Sequence, residues 1–169
     1  MYKGFDFVLK IADILKNKIG LDFEWRVFGN INPAFFERRT GLNHKNLNIS
    51  LCGVATAETL CDEISSCTVY MQPSYVENSP NSVCEAQILG IPVVATNVGG
   101  TASLIENGET GFLVPSGEPY FAAYKIQVLY EDKSLNINMG RKAQIAASKR
   151  HDKRTIVENL IEIYKKILG

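Results

Sequence analysis

Two glutamates, Glu77 and Glu85, lie in the run Pro73-Ser74-Tyr75-Val76-Glu77-Asn78-Ser79-Pro80-Asn81-Ser82-Val83-Cys84-Glu85-Ala86. Glu77 falls in a loop after an apolar strand. Glu85 falls on the helix that follows, among Val83, Cys84, Ala86, Ile88 and Leu89. A carboxylate in such a run is costly unless it is paired or hydrogen-bonded. Glu85 is then a helix-surface glutamate, one gripping a loop amide, or an acceptor for hydroxyl groups. An ionised carboxylate takes two hydroxyl donors well, as from a ribose 2′,3′-diol, and a second carboxylate a loop's length away could grip a sugar. The helix starting near Asn81 presents free N–H groups with partial positive charge, on which a diphosphate can sit without Lys or Arg. The plainer alternative is a helix capped by Asn81 or Ser79. Gly99-Gly100 permits close backbone approach to a ligand, although most diglycines are turns. Lys3 is one of the few cations that can reach the same region, whereas Arg38 and Arg39 read as helix surface.

These residues need strands and helices to position them, and the pattern supplies both in alternation. Phe7, Val8, Ile11, Leu15 and Ile19 recur at helical spacing up to Gly20. Short apolar runs at 23–28, 47–52, 68–71, 92–96 and 111–114 read as strands. Helices are expected at 34–40 behind Asn32-Pro33, at 57–66 behind Thr56, and from Asn81 to Leu89 with Gly90 as its stop. Three more follow at 120–130, 135–148 and 153–168. Apolar strands alternating with helices predict an α/β fold: a Rossmann-like, doubly wound parallel sheet covered on both faces, with its ligand crevice at the carboxyl ends of the strands. The loops leaving those ends, at 29–33, 53–56, 72–81 and 97–100, are the candidate site.

The chain has 169 residues, enough for one domain with a sizeable core. Its 46% hydrophobic and 21% charged content exclude a disordered chain, a collagen and a coiled coil. No run approaches the length of a membrane span. Met1-Tyr2-Lys3-Gly4-Phe5 lacks a signal-peptide layout and reads as the edge of a helix. Lys and Arg total 18 and so do Asp and Glu, so the basic excess of a nucleic-acid binder is missing. Between Asn46 and Tyr124 there is no Lys or Arg at all. An anion bound there must be held by backbone amides or by cations brought from elsewhere. Cys52, Cys61, Cys67 and Cys84 form no C-x-x-C pair and read as buried free thiols in a reducing cytoplasm. His44 and His151 are too far from any cysteine pair to complete a zinc site, and no acidic cluster suggests another metal. P-loop, G-x-G-x-x-G and G-x-S-x-G patterns are absent.

Together these residues resemble the C-terminal, donor-binding domain of the group 1, retaining glycosyltransferases of the two-Rossmann-domain (GT-B) architecture. The likeness runs from Lys3-Gly4-Phe5-Asp6 through Arg26-Val27-Phe28-Gly29 and Ser50-Leu51-Cys52-Gly53-Val54. It is strongest from Gln72-Pro73-Ser74 through Glu77 to Glu85-Ala86. It continues in Gly90-Ile91-Pro92-Val93-Val94-Ala95-Thr96, Gly99-Gly100 and Asn107-Gly108-Glu109-Thr110-Gly111, and closes at Ile163-Tyr164. The resemblance implies a single domain over residues 1–169 that binds a nucleotide-sugar donor. Glu85 is then the ribose-diol carboxylate, and Glu77, the catalytic candidate, approaches the donor sugar or its phosphate side. The amides of Asn81, Ser82 and Val83 hold the diphosphate and Lys3 neutralises it. Gly29 gives the diphosphate room, Val54 and Ala55 border the base, and Gly99 and Gly100 complete the substrate-binding set. No cofactor or metal is implied, and the nucleoside-diphosphate sugar is substrate. The acceptor is a glycan or a lipid-linked acceptor, in polysaccharide or lipopolysaccharide synthesis.

The sequence departs from the family pattern in three places. Ser103 stands where the family usually has glutamate, and Asn78-Ser79 replaces Gly-Phe. The family's first strand, with its Gly-Arg, and the N-terminal acceptor domain are absent from this sequence. The piece alone is therefore expected to be catalytically silent, and the unpaired sheet edge offers a route to dimers. Lys149, Arg150, Lys153 and Arg154 read as a solvated helix junction or as a contact for anionic lipid at the inner membrane face. A nucleotide-sugar epimerase of the same architecture and a non-catalytic nucleotide-sugar-binding module are the alternatives.

Overall fold

The computed structural model describes residues 3–168; Met1 and Tyr2, where the N-terminal reading begins, and Gly169 lie outside them. The order is α1 (Phe5–Asp13), β1 (Trp25–Phe28), α2 (Pro33–Thr40), β2 (Ile49–Gly53), α3 (Ala57–Ser65), β3 (Tyr70–Gln72), α4 (Asn81–Ile88), β4 (Val93–Thr96), β5 (Phe112–Val114), α5 (Pro119–Glu131), α6 (Lys133–Arg150) and α7 (Lys153–Leu168). The helix opened by α1 runs on as a π-helical stretch, Ile14–Ile19, and ends at Gly20 as its periodicity predicts. Strand β2 starts later than its apolar run because His44–Leu47 close a 3-10 turn. There the Asn43 side chain accepts the Lys45 N–H, and Asn48 turns the chain with φ 56°.

All strand pairings are parallel. Trp25 pairs with Ile49, Tyr70 with Val93 and Val94 with Phe112. Alternate residues of β4 face opposite layers, which is why all four are buried. Val94 packs with Phe7, Ile11, Ala122 and Leu129 of α1 and α5, whereas Val93 and Ala95 pack with Val83 and Ala86 of α4. Helices thus cover both faces, as expected of a doubly wound sheet.

The sheet itself is split. The hydrogen-bonded orders are β1-β2 and β3-β4-β5, with no ladder between β1 and β3. Trp25 N–H donates to Asn48 and Tyr70 N–H to Pro92. Backbone alternation then turns the N–H and C=O groups of Arg26, Phe28, Val69 and Met71 into a gap. The gap is a groove of about 470 Å³, lined by Leu15 and Ile126 and by Ile64. Side-chain packing still joins the halves, since Trp25 and Met71 rest on the same core. The Arg26–Glu63 ion pair links β1 to α3.

Helix α1 is the keel of both halves. Phe5, Asp6, Phe7, Val8, Leu9, Ile11 and Ala12 are all buried, and each large apolar side chain contributes about 1.5–3 kcal/mol. It begins at Gly4, against Pro73 at the end of β3, and the chain then returns through β1. The carboxyl ends of β1 and β3 therefore lie on one side of the domain. Behind α4, α6 packs so closely that a Cβ on Gly140 would sit 2.0 Å from the Gly90 carbonyl oxygen. Helix α7 buries no residue and leaves Leu160, Ile163, Ile167 and Leu168 exposed. No helix among the described residues is long and apolar enough to cross a membrane.

Three expectations change with the structure. Only Cys84 of the four cysteines is buried; Cys52 and Cys67 are half-buried, and Cys61, on the outer side of α3, is exposed. Arg150 does not join a basic surface. Its guanidinium turns inward to the Gln87 side chain at 2.6 Å and the Leu104 carbonyl at 3.4 Å. Neither Asn81 nor Ser79 caps α4. Pro80 holds the capping position and has no side-chain donor or acceptor to offer.

Candidate functional site

The β3–α4 loop is pinned from three sides before it reaches Glu77. The Thr96 hydroxyl, at the end of β4, donates to the Ser74 carbonyl. The Tyr75 hydroxyl donates to Asp6 Oδ2 at 3.0 Å and so ties the loop to α1. Burial and this carboxylate push the Tyr75 phenol up to about 12, so it remains a donor. The third tether is the missing side chain of Gly99. With φ +50°, its added Cβ would lie 1.7 Å from the Glu77 carbonyl oxygen, and one on Gly100 would lie 1.9 Å from that of Asn78. The close approach these glycines permit here is to the Glu77–Asn78 backbone.

The Glu77 carboxylate, 12% exposed, collects donors. Oε2 accepts from Lys3 Nζ at 2.6 Å, Gln72 Nε2 at 3.1 Å and Ser74 Oγ at 3.2 Å, and Oε1 accepts from the Asn78 N–H at 3.3 Å. Burial alone would raise its pKa. The Lys3 ammonium, with Ser74 and the Asn78 amide, outweighs that and holds the carboxyl below its usual range. The stretch without cations is thus served by one from the first turn of the chain.

Beside Glu77, α4 begins with the amides of Asn81 and Ser82, which have no acceptor among the described residues. The Val83 N–H is taken by the Pro80 carbonyl at 3.1 Å. One turn on, Glu85 is exposed and its carboxylate has no hydrogen-bond partner among the described residues. The helix turns it outward, so the apolar neighbours in sequence are not neighbours in space. Gly29 and Val54 belong to the other half-sheet. The Gly29 N–H donates to the Gly53 carbonyl at 2.7 Å, Gly29 has open space where a Cβ would be, Val54 is 83% exposed and Ala55 is half-buried. The structure therefore gathers Lys3, Glu77, Asn81, Ser82, Gly99 and Gly100 around one loop. Gly29, Val54 and Ala55 stand on the same side of the domain with no hydrogen bond to that cluster. No group of His, Cys, Asp or Glu among the described residues is placed to hold a metal ion.

Residues 1–132 match the sequence profile of the family "Glycosyl transferases group 1". The chain belongs to this family. A relative, the D-inositol 3-phosphate glycosyltransferase of Paenarthrobacter aurescens (strain TC1), is 33% identical over 174 residues, which cover 99% of this chain and 42% of the relative. The chain thus spans less than half the length of that relative. A glycosyltransferase from Rickettsia africae ESF-5 superposes with a TM-score of 0.80 at 24% identity over 100% of this chain and 45% of its own. The Anabaena protein HepE, solved in complex with UDP-glucose, superposes at 0.68 with 22% identity over 98% of this chain and 57% of its own. The fold is that of one half of a GT-B glycosyltransferase.

In this group 1 glycosyltransferase chain, sequence reasoning missed the supports of Glu77: Gln72, Ser74, Tyr75, Asp6 and Thr96. Gln72 had a signal, a polar residue closing an apolar strand just before a proline. Asp6 and Tyr75 are far apart in sequence and had none. The Lys3–Glu77 pair yields a first prediction. Lys3→Met should raise the Glu77 pKa, read by carbon-13 NMR titration of its carboxyl. A folded pKa held below the unfolded one adds stability above the ordinary carboxyl range, which is lost as the pH falls through the lowered value. The acid limb of unfolding should therefore move to higher pH in the variant. The loss at neutral pH is small, within about 1 kcal/mol, because the Lys3 side chain is 75% exposed. An unchanged Glu77 titration would remove Lys3 from this role.

Proposed function

We propose that this chain is the donor-binding part of a retaining glycosyltransferase that acts on a nucleoside-diphosphate sugar. The observation that carries the reading is the uncapped first turn of α4, whose Asn81 and Ser82 amides lie between the Lys3–Glu77 pair and the unpartnered Glu85. Aligned amides at a helix start stabilise an anion without a side-chain cation. They serve a diphosphate with Lys3 at its flank, whereas the Val83 N–H is already taken by Pro80. Glu85 accepts both hydroxyls of the ribose. Gly29 leaves room for the phosphates, Val54 and Ala55 border the base, and Glu77, backed by the Gly99-Gly100 turn, faces the sugar. HepE was solved with UDP-glucose on a similar fold, which supports a nucleotide sugar as the ligand class.

The reaction breaks the bond from the anomeric carbon to the phosphate oxygen and forms one from that carbon to an acceptor hydroxyl on the same face. The acceptor proton leaves with the phosphate. The chain's own residues stabilise the departing diphosphate through amides and Lys3, without a metal. The acceptor is a glycan or lipid-linked acceptor in cell-surface polysaccharide synthesis, held by parts of a longer protein, so this chain alone turns over no donor. The same reading assigns the groove between β1 and β3 to one further parallel strand.

A thermal-shift titration with millimolar UDP, GDP and ADP and their glucose conjugates tests the donor role. One base should raise the melting temperature. At a hundredfold excess over the dissociation constant the gain is about 2.7 kcal/mol, or roughly 5–10 °C for a domain of this size. No rise with any of the six would overturn the assignment.

A further inference from the structure

We infer that Gln72 is a positioning residue: its side-chain amide couples the Glu77 carboxylate to the first turn of α4, aiming the one and uncovering the other. The inference deepens the donor-binding reading and rests on it. Gln72 is the last residue of β3, is paired to Ala95, and is 6% exposed. Its Nε2 donates to Ser74 Oγ at 2.9 Å and to Glu77 Oε2 at 3.1 Å. Its Oε1 accepts from the Ser82 hydroxyl and the Tyr70 hydroxyl, both at 3.3 Å. Two donors and two acceptor sites are all an amide has, and all four are used.

The orientation of that amide is fixed by chemistry. The ionised Glu77 carboxylate accepts only, so the Nε2 end must face it; a flipped amide would set its oxygen against the carboxylate. The Oε1 end then faces α4 and draws the Ser82 hydroxyl inward. A serine in the first turn of a helix otherwise competes for nearby backbone groups. With its hydroxyl held by Gln72, the Asn81 and Ser82 amides stay uncovered. One buried side chain thus prepares both halves of the site, the carboxylate that faces the sugar and the amides that face the diphosphate. Among the described residues, the charged group in contact with Glu77 is Lys3.

The test uses Gln72→Met, close in size but without hydrogen-bonding ends, and Gln72→Glu, close in shape. UDP, GDP and ADP are titrated by calorimetry, and the Glu77 carboxyl is followed by carbon-13 NMR. Gln72→Met should weaken the bound nucleoside diphosphate about fivefold or more and raise the Glu77 pKa by about one unit, the worth of one hydrogen bond to a charged acceptor. Gln72→Glu should bind poorly at neutral pH, where two carboxylates face each other. It should recover on acidification, when the new carboxyl gains a proton to donate. Should Gln72→Met fail to fold, this pH-dependent recovery carries the test alone. Lost affinity with an unmoved Glu77 titration and no acid recovery would mean a merely structural glutamine and would overturn the proposal. If the parent binds none of the three nucleotides, the donor reading fails, and an unmoved Glu77 pKa in Gln72→Met would then sink the coupling as well.

Discussion

Gly4→Ala is expected to lower the melting temperature of this chain by roughly 5–15 °C. Gly4 starts α1 with φ +71°, and its carbonyl accepts the N–H groups of Phe7 and Val8 at 3.0 Å each. An added Cβ would lie 1.9 Å from the Pro73 carbonyl oxygen, a backbone atom that cannot swing aside. The left-handed conformation costs an alanine about 1–2 kcal/mol, and forcing the α1–β3 junction apart adds about 1–3 kcal/mol. Gly117→Ala is the control. It has a similar φ of +88° but open space around the Cβ position, so it bears only the first of these costs. Circular dichroism melts of the two variants should separate by several degrees. Equal melts would mean that the junction relaxes freely and that Lys3 is not held against Glu77 by the packing of Gly4.

The second large effect is functional. On the proposed donor role, Glu85→Ala should weaken nucleoside-diphosphate binding by about 100-fold or more, since two charge-assisted hydrogen bonds to ribose hydroxyls would be lost, each worth about 1.5–3 kcal/mol. The fold should not notice. Glu85 is exposed and without a partner among the described residues, and a surface substitution of this kind stays within about 0.5 kcal/mol. Calorimetry with the base selected by thermal shift, alongside a melt of the unliganded variant, reads both numbers. Unaltered affinity would take the ribose away from Glu85 and leave its exposure on α4 without a function.

Much of this was legible along the chain, for local reasons. The strand and helix order followed from apolar runs and from punctuation at Gly20, Asn32-Pro33, Thr56 and Gly90, because backbone geometry there depends on near neighbours. The Thr56 hydroxyl does accept the Thr59 N–H as its spacing suggests. Glu77, Glu85 and the start of α4 were legible for the same reason, since one short segment carries all three. What escaped depends on contacts between distant segments. Gly99 and Gly100 read as room for a ligand, but their space is taken by the backbone of Glu77 and Asn78. Arg150 read as surface, but Gln87 and Leu104 draw it in. The pairing of Asp6 with Tyr75 spans 69 residues, and no periodicity reports it. The break between β1 and β3 is an absence of pairing, which apolar runs cannot signal.

That break makes the domain two plates on a shared keel. Within each plate the strands are locked by directional ladders. Between them there is side-chain packing on a common core and the Arg26–Glu63 ion pair, with no ladder. Gly29 and Val54 ride on one plate, Glu77 and α4 on the other. A ligand that touches both reaches across a seam that no ladder crosses, so its own contacts become part of what holds the two plates together. Whatever bridges β1 and β3 would secure the same seam, and the ligand and the bridge would each stabilise the fold that the other needs.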